Sequence, residues 1–478
     1  MLDLLLAISL VQGPSGSEPS AIRWTACDVV VIPGARCGFL RVPENHERKS
    51  GKQIQLFVVI LPARERPVGP DPVLELFGGP GDFGSRRVPA VASMHRTTNA
   101  HRDVIIMDQR GTGRSSSLAC LYGDPMNPQG YVDAFLPLAE LRKCRERIAR
   151  AHDLTRYRTV DFAQDIEALR VALGVPQFNL HGTSYGTRVA LHYAARYPDR
   201  VRSATLVGVA PPQLVMPASF AADADRALRL LLSDCTADTQ CRAAFPRLRT
   251  ELDSVMRRLE RSPAPASVAD TVTGRVARVT ISRAVFGEVV RAMMYTPSNA
   301  RRLPLAVHEA FLRNYAAIAT VALNRHRGFA TDGSLGLYLA VTCTEDIPRL
   351  DTIAARSRTE GTVLGAARLT QHLAACAGWP RRPTNDEWPP LNAITAPLLM
   401  IVGNADPVTP PVWARLVSPA VRNSRVLVVP HGGHGFAGME NTDCLASIGS
   451  ALVARPVLAA IDTGCMTSVR PPPFMTRR

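Results

Sequence analysis

The chain has 478 residues, of which 46% are hydrophobic and 20% are charged. This composition excludes a disordered chain, a collagen-like repeat and a polytopic membrane protein, and the length suggests one large domain with an insertion, or two to three domains. The formal net charge is +15, from 56 Lys and Arg residues against 41 Asp and Glu residues. Because arginines supply nearly all of it without forming a basic block, we interpret the charge as background composition and expect no nucleic-acid partner.

The first residues resemble the apolar part of a secretion signal. Residues 2–11 form an apolar run that is interrupted by Asp3. The run is shorter than the roughly 20 residues that a membrane helix needs, so we expect no membrane span here. A positively charged start and a small-residue cleavage site are missing. We predict a signal or leader segment over residues 1–24, with an apolar terminus of no targeting role as the alternative.

The chain contains ten cysteines. None lies in C-x-x-C spacing or near histidines at zinc-finger intervals, so disulfides are favoured over a metal site. Connectivity does not follow from sequence, but pairing each cysteine with the next is the simplest arrangement. The alternative is a set of buried thiols in a cytosolic enzyme. Together with the N-terminus, the cysteines predict a secreted or periplasmic protein.

Short runs of apolar and β-branched residues alternate with helical stretches. Near-continuous apolar runs are typical of parallel strands that are buried on both faces. Between two such runs, Phe162, Ile166 and Leu169 recur at helical spacing, and Gly174 ends the predicted helix of residues 161–173. This βαβ pattern predicts an α/β fold with a mostly parallel, doubly wound sheet. The predicted strands are residues 54–61, 73–77, 104–107, 178–181, 204–209, 398–402 and 426–429.

The strand pattern stops between residues 217 and 390, where amphipathic helical stretches such as 221–232 and 303–315 replace it. We interpret this segment as a helical cap inserted into the core. The predicted division is therefore a core of residues 25–215 and 391–466, a cap of residues 216–390, and a loose tail of residues 467–478.

The sharpest motif is Gly182-Thr183-Ser184-Tyr185-Gly186, which fits G-x-S-x-G. It directly follows the predicted strand 178–181 and precedes a helical stretch, which is the order that a nucleophile elbow requires. At such an elbow the serine occupies a strained turn, and the glycines leave room for a close backbone crossing. We predict Ser184 as a nucleophile and the α/β-hydrolase fold as its scaffold.

A serine nucleophile needs a base, and the base needs an anion that orients it. In α/β-hydrolases the acid and the histidine follow the serine in that order. Asp406 comes just after the predicted strand 398–402, where sites of open α/β sheets are built. His434 lies between two glycines after the last predicted strand. We predict Asp406 and His434 as the partners of Ser184, with His431 as the alternative base.

The developing oxyanion needs backbone N–H donors, one just after the nucleophile and one from an early glycine-rich loop. Tyr185 follows the nucleophile, and Gly78-Gly79-Pro80-Gly81 follows an early strand. Pro80 has no N–H, so we predict Gly79 and Tyr185 as the donors.

These motifs together resemble the proline iminopeptidase family, and the long, cysteine-rich layout resembles its secreted tripeptidyl aminopeptidase branch. The resemblance rests on Gly78-Gly79-Pro80-Gly81, on Asp108-Gln109-Arg110-Gly111-Thr112-Gly113-Arg114-Ser115, and on the triad residues in their order. It covers residues 25–215 and 390–466, and the cap matches only loosely. The resemblance implies that residues 108–115 form a structural loop bracing the site.

The resemblance also implies substrates with a free N-terminus, whose ammonium needs an anionic partner. Glu345, with Asp346 second, follows Cys343 as the family's acidic position does. The alternative is that both are surface carboxylates at a helix end. Phe77 stands where iminopeptidases often carry histidine, so a preference for proline is not carried over.

The predicted function is a serine hydrolase that cleaves residues from the free N-terminus of peptides, of the proline iminopeptidase or tripeptidyl aminopeptidase type. The alternative is a carboxylesterase or lipase-like hydrolase on the same fold, since the triad serves esters equally well. Neither reading calls for a metal or an organic cofactor. The sequence makes no prediction of oligomeric state.

Overall fold

The computed structural model describes residues 21–28, 32–48, 50–124, 126–133, 135–331, 333–382 and 388–477. Most of the predicted leader, residues 1–20, lies outside the described residues. Within these ranges, none of the helices has both the length and the apolar character that a membrane crossing demands.

The described chain is organised around a nine-stranded sheet with the order β1-β2-β3-β5-β4-β6-β7-β10-β11. The strands from β5 to β11 pair in parallel in that order, whereas β1, β2 and β3 pair antiparallel with their neighbours. The strands are β1 (Arg23–Thr25), β2 (Arg36–Pro43), β3 (Gln53–Leu61), β4 (Val73–Leu76), β5 (Val104–Met107), β6 (Phe178–Thr183), β7 (Val201–Val207), β10 (Leu398–Gly403) and β11 (Ser424–Val429).

All seven predicted strands are present, and the prediction of a mostly parallel, doubly wound sheet is confirmed. The predicted parallel pairing of residues 54–61 is wrong, because β3 is antiparallel to both of its neighbours. Residues 56–61 are buried without a break. A continuous apolar run therefore indicates that a strand is buried on both faces, but not whether it pairs parallel or antiparallel. The connection to the next strand decides that direction.

Helices cover the sheet and build the cap. The predicted helix of residues 161–173 is α4, and Gly174 ends it in the left-handed conformation with φ 66°. The α-helices are α1 (Val88–Met94), α2 (Gln129–Val132), α3 (Leu138–Ala149), α4 (Thr159–Leu173), α5 (Tyr185–Arg196), α6 (Phe220–Ala237), α7 (Thr239–Ala244), α8 (Leu248–Arg261), α9 (Arg283–Met293), α10 (Pro297–Ala300), α11 (Leu303–Phe311), α12 (Ala316–Thr331), α13 (Leu335–Val341), α14 (Thr352–Ser357), α15 (Ala367–Cys376), α16 (Pro411–Val417) and α17 (Asp443–Ala454).

The inserted segment has its own apolar core, which is built mainly from α6, α8, α9, α11 and α12. The prediction of an all-helical segment misses one element, because β8 (Ala264–Ala269) and β9 (Val276–Ile281) form a hairpin. Every second residue of β8 is buried. This period of two is the signature of a half-buried strand.

The C-terminal tail is not loose, in contrast to the prediction. Arg470 forms a β-bridge with Glu440, and Phe474 is buried. The guanidinium of Arg301, in the cap, lies 4.0 Å from the centre of the Phe474 ring. A single aromatic residue thus anchors the tail to the cap, because burying its ring removes a large apolar area from water.

Five disulfides join the ten cysteines, and no described cysteine is free. The pairing of each cysteine with the next is confirmed: the bonds are Cys27–Cys37, Cys120–Cys144, Cys235–Cys241, Cys343–Cys376 and Cys444–Cys465. The Cys343–Cys376 bond ties α15 to a short π-helix, Thr342–Asp346, that follows α13.

Candidate active site

Ser184 sits at a sharp turn between β6 and α5. Its backbone adopts φ 56° and ψ −123°, a strained conformation for a residue with a side chain. A Cβ on Gly186 would lie 2.2 Å from the carbonyl oxygen of Leu76, and one on Gly182 would lie 2.9 Å from that of Gly186. Only glycines fit at these two crossings, which is the reason for both glycines in the motif.

The structure brings together the three residues predicted as a triad, from three separate parts of the chain. The Oγ of Ser184 lies 2.9 Å from Nε2 of His434, although the two residues are 250 positions apart. The other ring nitrogen of His434, Nδ1, lies 2.8 Å from Oδ2 of Asp406. His431, the alternative base, points elsewhere, and its Nδ1 lies 2.7 Å from Asp234 Oδ2.

Asp406 is fully buried and is held by four donors. Its Oδ1 accepts the backbone N–H groups of Val408 at 2.7 Å and of Thr409 at 2.9 Å. Its Oδ2 accepts the Thr409 hydroxyl at 2.8 Å as well as the His434 ring. The Thr409 oxygen also lies 3.0 Å from His434 Nδ1. Sequence reasoning missed Thr409, whose one available signal is a hydroxyl residue in the turn that follows Asp406.

Charges in the triad favour a basic histidine. Burial works against the protonated imidazole, but the carboxylate of Asp406 outweighs it and raises the pKa of His434. Burial likewise works against the Asp406 carboxylate, while His434 and the hydrogen bonds from Thr409 lower its pKa. Asp406 therefore stays ionised, and His434 is equipped to take the proton of Ser184.

The two predicted oxyanion donors lie beside the serine. Tyr185 is the first residue of α5, directly after Ser184. The glycine loop passes close by, since a Cβ on Gly78 would lie 2.9 Å from the Cβ of Ser184. Gly79 has φ +111°, a backbone conformation that side chains rarely adopt. The glycine loop thus lies directly against the side chain of Ser184.

The loop of residues 108–115 is held by buried polar contacts. Asp108 accepts the backbone N–H of Ser85 and its hydroxyl, both at 2.8 Å. Arg110 is fully buried and pairs with Asp165 at 2.6 Å. These contacts tie the loop to the segment after the glycine loop and to α4, in keeping with the bracing role that the resemblance implies.

Beneath the elbow, His181 packs against a carboxylate. Oxygens of Glu75 lie 2.9 Å from ring nitrogens of both His181 and His95. Burial alone would raise the pKa of Glu75, but the two histidines lower it to about 2. The three side chains satisfy one another in a buried cluster, which assigns His181 a packing role under the elbow.

A cavity of about 800 Å³ opens over Ser184, between the edge of the sheet and the cap. Its lining includes Ser184, His434, Gly79 and Tyr185 from the core, and residues of the cap such as Tyr295. Its size falls within the range of small-molecule and peptide sites. Ser184 and His434 therefore face this cavity, and the cap supplies part of its remaining wall.

Glu345 and Asp346 do not reach this cavity. The carboxylate of Glu345 accepts the backbone N–H of Thr159 at 2.6 Å and its hydroxyl at 2.9 Å. Asp346 pairs with Arg188 at 3.1 Å, and Arg188 rather than either carboxylate lines the cavity. Both carboxylates are at most 3% exposed, so they are not surface groups at a helix end either. Binding of a substrate ammonium by Glu345 therefore stays a prediction, and this geometry gives Glu345 no direct access to the cavity.

The shared environment of these carboxylates affects their protonation. Burial raises the pKa of Glu345 to about 7 against the opposing charge of Arg188. Burial also raises the pKa of Asp346. Both acids face the Arg188 guanidinium, and Asp346 also pairs with Arg349 at 3.2 Å. Glu345 lies behind the cavity wall, where it holds Thr159. The Thr159 hydroxyl in turn lies 2.9 Å from the hydroxyl of Tyr185.

Comparison with known families agrees with the fold and the elbow. Residues 71–264 match the family model described as alpha/beta hydrolase fold. The chain is an α/β-hydrolase. Residues 362–465 match a second model, described as TAP-like protein. The last strands of the sheet and the loops that carry Asp406 and His434 fall within this match, so the C-terminal part of the chain is similar to TAP-like proteins.

Curated relatives carry peptidase names. The serine protease Hip1 of Mycobacterium tuberculosis is 24% identical over 427 residues, which are 81% of this chain and 80% of that protein. The tripeptidyl aminopeptidase of Streptomyces coelicolor is 28% identical over 214 residues, or 40% of this chain and 39% of that protein. Among solved structures, the proline iminopeptidase of Mycobacterium smegmatis is similar over 88% of this chain and 99% of that chain, with 19% identity and a TM-score of 0.42.

Proposed function

We propose that this protein is a serine aminopeptidase that cleaves residues from the free N-terminus of peptides, of the tripeptidyl aminopeptidase or proline iminopeptidase type. The observation that carries the proposal is the hydrogen-bonded series from Ser184 through His434 to Asp406, with its serine facing the cavity. The TAP-like match and the peptidase names of the relatives support peptides as substrates.

The proposed reaction is acyl transfer through the serine. Ser184 Oγ attacks the scissile carbonyl carbon while its proton passes to His434 Nε2. His434 then gives this proton to the departing amine nitrogen, and the C–N bond breaks. Water hydrolyses the acyl-enzyme with the same histidine as base, which restores the Ser184 hydroxyl. Asp406 remains ionised throughout and stabilises the imidazolium.

The backbone N–H groups of Gly79 and Tyr185 are the proposed donors to the oxyanion. The closeness of the glycine loop to the Ser184 side chain supports this role. Both donors are backbone groups on a braced loop and at the start of a helix, so they need little reorganisation when charge develops. The helix start adds a favourable dipole for a negative charge.

We further propose that the protein works in the periplasm or outside the cell. Five disulfides support this, since such bonds persist in oxidising compartments. Mass spectrometry of protein isolated from its native host under non-reducing, thiol-blocking conditions tests the proposal. Intact bridges and a trimmed N-terminus are expected, whereas ten free thiols would place the protein in a reducing compartment.

The test of the function compares Pro-, Ala- and Ala-Ala-Pro-type chromogenic amides, each with a free and an acetylated N-terminus, beside p-nitrophenyl butyrate. Cleavage restricted to free amines is expected, and the productive length tells how many residues leave. Ser184→Ala should remove turnover without changing the circular dichroism spectrum. Hydrolysis of the ester alone would favour the carboxylesterase alternative. That alternative has one observation in its favour, namely that Glu345 lies behind the cavity wall.

A further inference from the structure

Two arginines of the cap line the cavity although they are almost fully buried. Arg291, on α9, is 1% exposed, and Arg368, on α15, is 4% exposed. Arginines are rarely buried to this degree without a partner, because a guanidinium loses its hydration. The residues around Arg291 and Arg368 therefore decide whether the protein itself replaces the hydration that the two guanidiniums lose.

The partners of the two guanidiniums are incomplete. In both Arg291 and Arg368, Nε and Nη1 have no hydrogen-bond partner among the described residues. Aromatic rings hold the planes: the Arg291 guanidinium carbon lies 4.4 Å from the Phe220 ring centre, and that of Arg368 lies 3.3 Å from the Phe135 ring centre. Such stacking fixes orientation and adds modest attraction, but it leaves the Nε and Nη1 donors without acceptors.

The local charge is also unbalanced. Glu288 is the buried carboxylate facing the pair in the described part of the chain, and its Oε1 lies 3.7 Å from Arg368 Nε without a hydrogen bond. Among the described lining residues of the cavity, six are arginines and two are carboxylates. Both of these carboxylates are engaged elsewhere, Glu75 with its two histidines and Asp82 with Arg86 and Arg87.

The positive charge of these arginines also lowers the pKa of a nearby tyrosine, Tyr295. Burial would raise the pKa of Tyr295, but Arg291 and Arg325 lower it to about 8. The Arg291 guanidinium carbon lies 5.3 Å from the Tyr295 ring centre, and the Tyr295 ring centre lies 5.3 Å from that of His434. Arg291 is thus separated from the His434 ring by the ring of Tyr295.

We propose that Arg291 and Arg368 form a subsite for a carboxylate of the substrate, so that the enzyme prefers peptides with an acidic group close to the scissile bond. Two buried guanidiniums with unpaired N–H donors suit a carboxylate, because its two oxygens can each accept a charge-assisted hydrogen bond. The bound carboxylate would supply the missing acceptors and balance the charge. The inference rests on the proposed function for the statement that the ligand is a peptide.

Binding without turnover provides the test. Isothermal titration calorimetry would measure the affinity of the Ser184→Ala protein for the amidated tripeptides Glu-Ala-Ala, Ala-Glu-Ala and Ala-Ala-Glu. Each is compared with the same peptide carrying Gln in place of Glu. Ala-Ala-Ala, as free acid and as amide, tests a carboxylate at the C-terminus. We expect one acidic position to bind at least about 10-fold more tightly than its neutral partner, the scale of a charge-assisted hydrogen bond. Equal affinities for all acidic and neutral pairs would overturn the proposal.

Variants localise the effect. Arg291→Gln and Arg368→Gln, each in the Ser184→Ala background, should bring the acidic and the neutral peptide to equal affinity. Arg356→Gln is the matched control, because it removes one positive charge from an exposed position of α14 and should keep the preference. A preference that survives in folded Arg291→Gln and Arg368→Gln proteins would also overturn the proposal.

The outcome separates this inference from the proposed function. Acid-selective binding by a protein whose wild type cleaves no peptide would support the subsite while refuting the aminopeptidase. Cleavage of free-amine peptides with no acidic preference at any position would refute the subsite alone. If either glutamine variant fails to fold, the peptide comparison on the Ser184→Ala protein decides by itself.

Discussion

Thr409 offers the most direct test of how the triad is built. The substitution Thr409→Val removes the hydroxyl and keeps the volume and the branching of the side chain. The hydroxyl donates to Asp406 at 2.8 Å and lies 3.0 Å from His434 Nδ1, and the residue is 2% exposed. The backbone N–H of Thr409 still donates to Asp406 in the variant, so three of the four donors remain.

The loss is that of one buried hydrogen bond to a charged group, which contributes about 1.5–3 kcal/mol. If the transition state feels this loss in full, kcat/KM falls by about 10-fold to 100-fold, since about 1.4 kcal/mol corresponds to tenfold. The effect should stay well below the roughly 10⁴-fold loss typical of removing the charge of the triad acid.

The assay is kcat/KM on p-nitrophenyl butyrate and on a free-amine tripeptide amide, with thermal unfolding as a check on the fold. Thr409→Ser keeps the hydroxyl and should retain most of the activity. Wild-type kcat/KM in Thr409→Val would show that the hydroxyl does not orient the acid. A loss equal to that of Asp406→Asn would show that Thr409 does more than hold the carboxylate.

Three further predictions follow from the site and the cap. Asp406 raises the pKa of His434 above 6.5, so kcat/KM should rise with pH as His434 loses its proton in that range. In a pH–rate profile, Asp406→Asn should shift this rise to lower pH. Glu345→Gln should change peptide and ester kcat/KM by the same factor, since Glu345 lies behind the wall; a rise in KM for peptides alone would contradict this. Burial raises the pKa of Glu345 from 4.5 to about 7, so the folded chain binds more protons than the unfolded chain between these pH values. The contribution of Glu345 to the free energy of unfolding therefore falls as pH rises through this range. Urea unfolding at several pH values should show that Glu345→Gln lacks this pH dependence. Replacing the Cys343–Cys376 pair by alanines opens a loop of 33 residues and should lower the free energy of unfolding by about 4 kcal/mol. Chemical denaturation measures this loss, and an unchanged midpoint would contradict it.

Much of the catalytic arrangement follows from local patterns. A strand, a G-x-S-x-G turn and a helix in sequence predicted the elbow at Ser184, because the backbone crossing admits only glycine on either side. Asp406 and His434 follow the ends of later strands, and the carboxyl ends of parallel strands share one edge of a sheet. The elbow and the positions after the strands depend on short stretches of chain, so the sequence is enough to predict them. The cysteine pairing agrees with the simplest arrangement, although connectivity itself does not follow from sequence.

Other features depend on contacts between distant segments. Whether Glu345 faces the cavity or Thr159 is decided by how the π-helix packs on α4, 186 residues away in the chain. The direction of β3 and the packing of Phe474 on the cap also depend on distant segments. An apolar residue in the sequence indicates that it will be buried, but it does not indicate which residues it will contact.

The arginine pair shows the same limit most clearly. Arg291 and Arg368 are two among many arginines in the sequence, and nothing in their immediate neighbours distinguishes them. Only the folding of α9 and α15 over the core buries both guanidiniums at one cavity and leaves donors unpaired. The sequence by itself predicted the fold and the candidate catalytic residues, through local motifs and chain order. The tertiary structure decided the shape and charge of the substrate site, because these arise from side chains that meet only when the cap packs on the sheet.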